Sequence, residues 1–68
     1  MEKRSAILDA AITLLLSEGL KGVTHRQVAA AASVPVGSIG YYYSTRDKLV
    51  VTCFDRLVER RRAAFARA

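Results

Sequence analysis

The chain has 68 residues, room for one small domain that buries only about 60% of the surface it exposes unfolded. A single cysteine, Cys53, excludes an internal disulfide, and with only His25 beside it in the inventory a Cys/His zinc set is excluded too. Eleven Lys and Arg against six Asp and Glu leave a net charge of +5, which suits a polyanion such as nucleic acid or an anionic membrane surface and equally a merely soluble basic domain.

Stability must then come from a partner or a further domain. No apolar run reaches the roughly 20 residues of a membrane span, and no charged segment leads into a signal-type apolar core. The lone thiol fits a reducing cytoplasm.

Four helices are predicted. The first is "KRSAILDAAITLLLSEG", with Ile7, Leu8, Ala11, Ile12, Leu14 and Leu15 at helical spacing. Gly19 ends it where a left-handed cap is wanted, with Leu20 folding back as the apolar contact. Thr24 followed three residues later by Gln27 reads as a capping box, so the second helix starts at His25 and runs through Ala32. Pro35 cannot continue that helix but suits the first turn of another. The third helix is expected from Val36 to Tyr42 or Tyr43, after a turn of three or four residues.

Thr45 reads as the N-cap of the fourth helix, with Asp47 complementing its dipole. Leu49, Val50, Cys53, Phe54, Leu57 and Val58 form its apolar face, and "ERRRAAFARA" carries it to Ala68. The reading is all-α: a three-helix bundle with a homeodomain-like helix-turn-helix, plus the start of a long fourth helix.

The third helix is poor by propensity, because Gly37 and Gly40 each cost about 1 kcal/mol relative to Ala. A helix-turn-helix supplies the reason, since its second helix lies in the major groove with its leading residues against base edges. A groove about 12 Å wide wants a slim leading face, which Val36, Gly37, Ser38 and Gly40 provide. Ile39 faces the core, and Tyr43, four residues on, shares that side. Tyr41 and Tyr42 then point outward or along the flank, toward phosphates or bases, or else pack between the third and fourth helices.

The stretch "ILDAAITLLLSEGLKGVTHRQVAAAASVPVGSIGYYYSTRDKL", residues 7–49, resembles the DNA-binding domain of TetR-family transcriptional repressors. The resemblance rests on an ordered set: the Ala-Ala of the first helix, the "G-h-x-G-h-T" approach to the second (h, apolar), the "VA-x-x-A" core, the "V-x-x-G-[ST]-h" turn, and an aromatic run into "S-T-R-D-K-L". It implies that Thr24 binds phosphate, that Arg26 contacts base or phosphate, and that His25 beside them touches phosphate or only completes the cap. It implies DNA contact at Val36, Gly37, Ser38, Gly40, Tyr41 and Tyr42. Arg46 takes the place of the usual phosphate-holding lysine.

Three departures from the family pattern stand out. Ser33 occupies a turn position where glycine is usual and positive φ is favoured. Pro35 replaces a frequent serine, removing a side-chain cap. Gly40 replaces a frequent tyrosine, removing one contact. Outside the motif, Arg26 has the alternative of being solvated or ion-paired. Arg60, Arg61 and Arg62 read as a solvated helix surface, and Lys3 and Arg4 as a basic N-terminus that either follows the DNA backbone or does not.

The expected organisation is a helix-turn-helix domain over 1–48 and, over 49–68, a fourth helix leading toward an absent ligand-binding and dimerisation domain. The expected function is sequence-specific binding of a palindromic double-stranded DNA operator by a cytoplasmic, ligand-responsive repressor. It would act as a homodimer, with a small-molecule inducer at the missing domain and no membrane partner. No nucleophile with an adjacent base, metal-ligand spacing or phosphate loop suggests an enzyme, and no catalytic, metal or cofactor site is expected. The rival readings are a basic helical protein-interaction module and an anionic-membrane-binding module.

Overall fold

The computed structural model describes residues 3–67, which run through α1 (Lys3–Glu18), a one-turn 3-10 helix (Leu20–Gly22), α2 (His25–Ala32), α3 (Val36–Tyr42) and α4 (Arg46–Arg67). Among the described residues there is no strand, and the four α-helices are those the sequence predicts. The expected continuation of the fourth helix to Ala68 lies, for that residue, outside the described ones.

Gly19 carries a positive φ of 78°, but its ψ of −169° is extended rather than left-handed helical. The chain therefore does not fold back at this point. It enters the short 3-10 turn, and Leu20 stays half exposed instead of closing on α1. The turn brings Gly22 against the last turn of α1, where a Cβ would lie 2.7 Å from the Glu18 Cβ. Only glycine permits that approach.

The core is built from one stripe of each helix. Ile7, Leu8, Ala11 and Ile12 of α1 meet Val23, Val28 and Ala29 from the second helix and its approach. Ile39 and Tyr43 enter from the α3 side, Leu49 and Cys53 from α4. Leu14, Leu15, Val50 and Leu57 pack around the edge, only partly buried. Each fully buried aliphatic side chain contributes roughly 1.5–3 kcal/mol over its exposed state, so in a chain this small every one of them matters. Burial pushes the Cys53 thiol above its ordinary range, keeping it a neutral core group at neutral pH.

α4 departs from expectation along one side. Leu49 and Cys53 are buried, but Phe54 and Val58 are about half exposed and join Val51 and Phe65 in a second apolar stripe facing outward. α1 packs along one side of α4 and leaves the other uncovered. The arginine run is likewise not wholly solvated: Arg60 donates to Asp9 of α1 at 3.1 Å, an exposed ion pair worth about 1 kcal/mol at most.

Candidate nucleic-acid interface

α2 is capped at both ends by its own neighbourhood. The Thr24 hydroxyl accepts from the Gln27 N–H at 3.1 Å, as a cap should. The return half of the capping box is not formed. The Gln27 amide nitrogen, in the orientation that satisfies both of its ends, donates instead to the Gly22 carbonyl at 3.0 Å and to the Thr24 hydroxyl at 3.1 Å. The 3-10 turn sets that carbonyl within its reach.

At the other end Ser33 takes the left-handed conformation, φ 58° and ψ 44°, the positive φ foreseen for this position. Val34 N–H then reaches back to the Ala29 carbonyl at 3.0 Å, closing the helix.

α3 is assembled differently. Its N-cap is Pro35, which supplies no side-chain hydrogen bond. Ile39 is fully buried and Tyr43 nearly so, which fixes the inward face as the helical angle requires. Gly37 and Tyr41 lie opposite them, and Val36 and Gly40 are exposed as well, with Ser38 half-buried. A Cβ built on Gly37 or Gly40 would meet nothing within 4 Å, so packing inside this domain gives no reason for either glycine.

The tyrosines separate. Tyr41 is 83% exposed, whereas Tyr42 is half-buried against the edge of the core. Their rings meet edge to face at 5.1 Å, and the Arg4 guanidinium sits 5.6 Å from the Tyr42 ring centroid, a cation–π distance. Tyr42 thus combines the outward and the packing readings, and Arg4 of α1 is brought to the end of α3.

The remaining residues of the sequence-derived site divide by what they touch. Arg26 is exposed, with no hydrogen bond or ion pair among the described residues. His25 directs Nε2 to the Tyr43 carbonyl at 2.8 Å. Arg46 donates its Nε to the Val23 carbonyl at 2.8 Å and an Nη to the Leu20 carbonyl. Neither the His25 nor the Arg46 bonds can be read from the sequence, because the partners are main-chain carbonyls distant in it. Two of the five guanidinium N–H donors are used this way, and the side chain remains exposed. Thr45 caps α4 by accepting from the Lys48 N–H at 3.1 Å. Among the described residues no group of three His, Cys, Asp or Glu gathers to hold a metal, and no helix is long and apolar enough to cross a membrane.

The fold thus presents a helix-turn-helix with one slim exposed face and basic side chains beside it. The family described as bacterial regulatory proteins, tetR family, matches residues 7–53. The chain is 41% identical over 58 residues to an uncharacterized HTH-type transcriptional regulator in the dhlA 5′ region of Xanthobacter autotrophicus, covering 85% of this chain and 29% of that protein. It is 37% identical over 59 residues to the HTH-type transcriptional repressor KstR of Rhodococcus jostii (strain RHA1), covering 87% of this chain and 28% of that one. The HTH-type transcriptional regulator PksA of Bacillus subtilis (strain 168) is 27% identical over 59 residues, 87% of this chain and 29% of PksA. The chain spans less than a third of the length of each relative. It belongs to the tetR family of bacterial regulatory proteins and carries the family's DNA-binding helix-turn-helix.

Proposed function

We propose that this chain places α3 in the major groove of duplex DNA and serves as the operator-reading part of a ligand-responsive repressor. The observation that carries the reading is the pair of glycines. Gly37 and Gly40 weaken a seven-residue helix by about 1 kcal/mol each, and nothing within the domain occupies the space they leave open. A local rule broken without internal compensation marks a functional surface. Here that surface is one on which backbone must come close to something outside.

Around it the roles divide into positioning and reading. Thr24 accepts both of its hydrogen bonds from Gln27, so its own proton is left for a phosphate oxygen. Tyr42 and the free N–H groups of Arg46 are the further phosphate contacts, with His25 alongside. Arg26, the exposed Val36, Gly37, Gly40 and Tyr41, and the half-buried Ser38 face the bases.

Residues 49–68 lead toward a ligand-binding and dimerisation domain, with residues 1–48 as the DNA-binding unit. Two copies about a two-fold axis put their third helices in successive major grooves, half-site centres about 34–36 Å apart. An inducer acting on the further domain changes that spacing and releases the DNA. The action as a repressor follows the description of KstR. The working place is the cytoplasm, and the protein is not an enzyme.

Fluorescence anisotropy on a mixed pool of duplexes, across a salt series, tests this with wild type, Arg26→Ala and Tyr42→Phe. The expected result is a steep fall of log K with log salt and weaker binding by both variants. Equal binding by all three proteins, or a preference for anionic vesicles over duplex, would overturn it.

A further inference from the structure

Two side chains cross between the approach to α2 and the elbow joining α3 to α4, in opposite directions. From the elbow, Arg46 reaches the Val23 carbonyl at 2.8 Å and the Leu20 carbonyl. From the first residue of α2, His25 reaches the Tyr43 carbonyl at 2.8 Å. A carbonyl only accepts, so His25 Nε2 carries the proton, as it can in the neutral and in the charged ring. The crossed links hold three helix ends together: the starts of α2 and α4, and the finish of α3.

α3 is the element that needs such holding. It has seven residues and no side-chain N-cap, and helices under about 12–15 residues are marginal alone. Its last hydrogen bond, Tyr43 N–H to the Ile39 carbonyl at 2.7 Å, belongs to the same residue whose carbonyl His25 takes. Ile39 and Tyr43 anchor α3 in the core, with Tyr42 packed at its edge. They fix its depth and leave its angle to whatever holds its ends.

We propose that His25 and Arg46 form a reciprocal clasp that sets the angle of α3 against α2, so that discrimination among DNA sequences depends on two positioning residues that need touch no base. The proposal rests on the reading that α3 enters the groove. It differs from a phosphate-contact role in a measurable way. Loss of a phosphate contact weakens binding uniformly across sequences and, for a cationic side chain, lowers the salt slope by about one. Loss of the clasp weakens the selected site more than the rest, over and above any uniform loss of the phosphate contacts that His25 and Arg46 also make.

The test uses the full-length protein, a duplex selected by wild type from a random pool, and a scrambled duplex of the same composition. His25→Ala should lower the ratio of the two affinities about five- to tenfold, the effect of one net hydrogen bond, with the salt slope of wild type. In the free protein it should speed exchange of the Tyr43 amide by a similar factor. His25→Gln, whose amide N–H can reach the same carbonyl, should restore both to within about threefold. Arg46→Lys keeps the charge but loses the rigid fork that serves two carbonyls, and should lower the ratio as His25→Ala does.

Equal losses on both duplexes, or wild-type exchange and discrimination in His25→Ala and Arg46→Lys, would overturn the clasp. Should His25→Ala fail to show a helical circular dichroism spectrum, Arg46→Lys and His25→Gln carry the comparison. If wild type selects no duplex at all, the groove reading fails. Exchange of the Tyr43 amide then decides the clasp by itself.

Discussion

α2 and α3 are neighbours of almost equal length, eight and seven residues, made on opposite principles. α2 contains no glycine, has four alanines in a row, and is closed at both ends by residues within two positions of it: Thr24 at the start, Ser33 and Val34 at the finish. α3 has two glycines, a cap with no side-chain bond, and a C-terminal carbonyl held from 18 residues away. The first is specified locally. The second is specified by what it rests on, and its exposed face is left unfilled. A helix meant to meet a ligand along one side has less of its own structure to rely on, so the remainder of the fold must hold it.

The largest test of that contrast is Ile39→Ala. Ile39 is fully buried and is the principal core anchor within α3, so truncation should cost about 2–5 kcal/mol through lost burial and the cavity left behind. In a domain of marginal stability this is enough to unfold much of the population at 25 °C, which urea titration followed by circular dichroism would measure. If the loss were under about 1 kcal/mol, α3 would not depend on its anchor and the contrast with α2 would collapse.

Gly37→Ala and Gly40→Ala sharpen it in the opposite direction. Each should raise stability by up to about 1 kcal/mol, since an added methyl meets nothing in the free domain. On the proposed placement of α3, each should also weaken duplex binding about tenfold or more, because a Cβ would stand where backbone approaches the groove. Melting temperature and anisotropy measured on the same preparations would show the two effects with opposite signs. A variant more stable and equally tight would mean that the glycines are not kept for DNA.

Much of this was legible in the sequence, and the limits follow the same division. The starts of α2 and α4 are readable because Thr24 and Thr45 signal their caps within the same few residues. Ile39 and Tyr43 were readable as a core pair because four residues return a helix to one face. The strain at Ser33 was readable from the turn pattern. The destinations of Gln27, His25 and Arg46 were not, because their acceptors are carbonyls of Gly22, Tyr43, Val23 and Leu20, and a main-chain carbonyl has no residue identity to read. The outward turn of Phe54 and Val58 is not legible for a related reason. Spacing gives the width of an apolar face but not how much of it a short α1 can cover.

Thr24→Ala tests the local side of the contrast. Removing the hydroxyl leaves the Gln27 N–H without its partner and should cost about 1 kcal/mol. If α2 is closed locally, amide exchange should rise in its first turn and stay unchanged in α3. An equal rise in both would show that the two helices share one support rather than two kinds.

Ser33→Gly is the smallest effect and the most informative about α2. Ser33 holds φ at 58°, where a Cβ crowds the following carbonyl and costs roughly 1–2 kcal/mol. Glycine removes that strain but enlarges the freedom of the unfolded chain, which takes back about 0.4–1 kcal/mol. The balance should be a gain of some tenths of a kcal/mol, up to about 1, seen as a melting temperature raised by a few degrees. The Val34 N–H to Ala29 carbonyl bond should persist, since the turn conformation is the one glycine prefers. A loss of stability instead would mean that the Ser33 side chain contributes more than its backbone strain removes, and that the finish of α2 is held by more than its own turn.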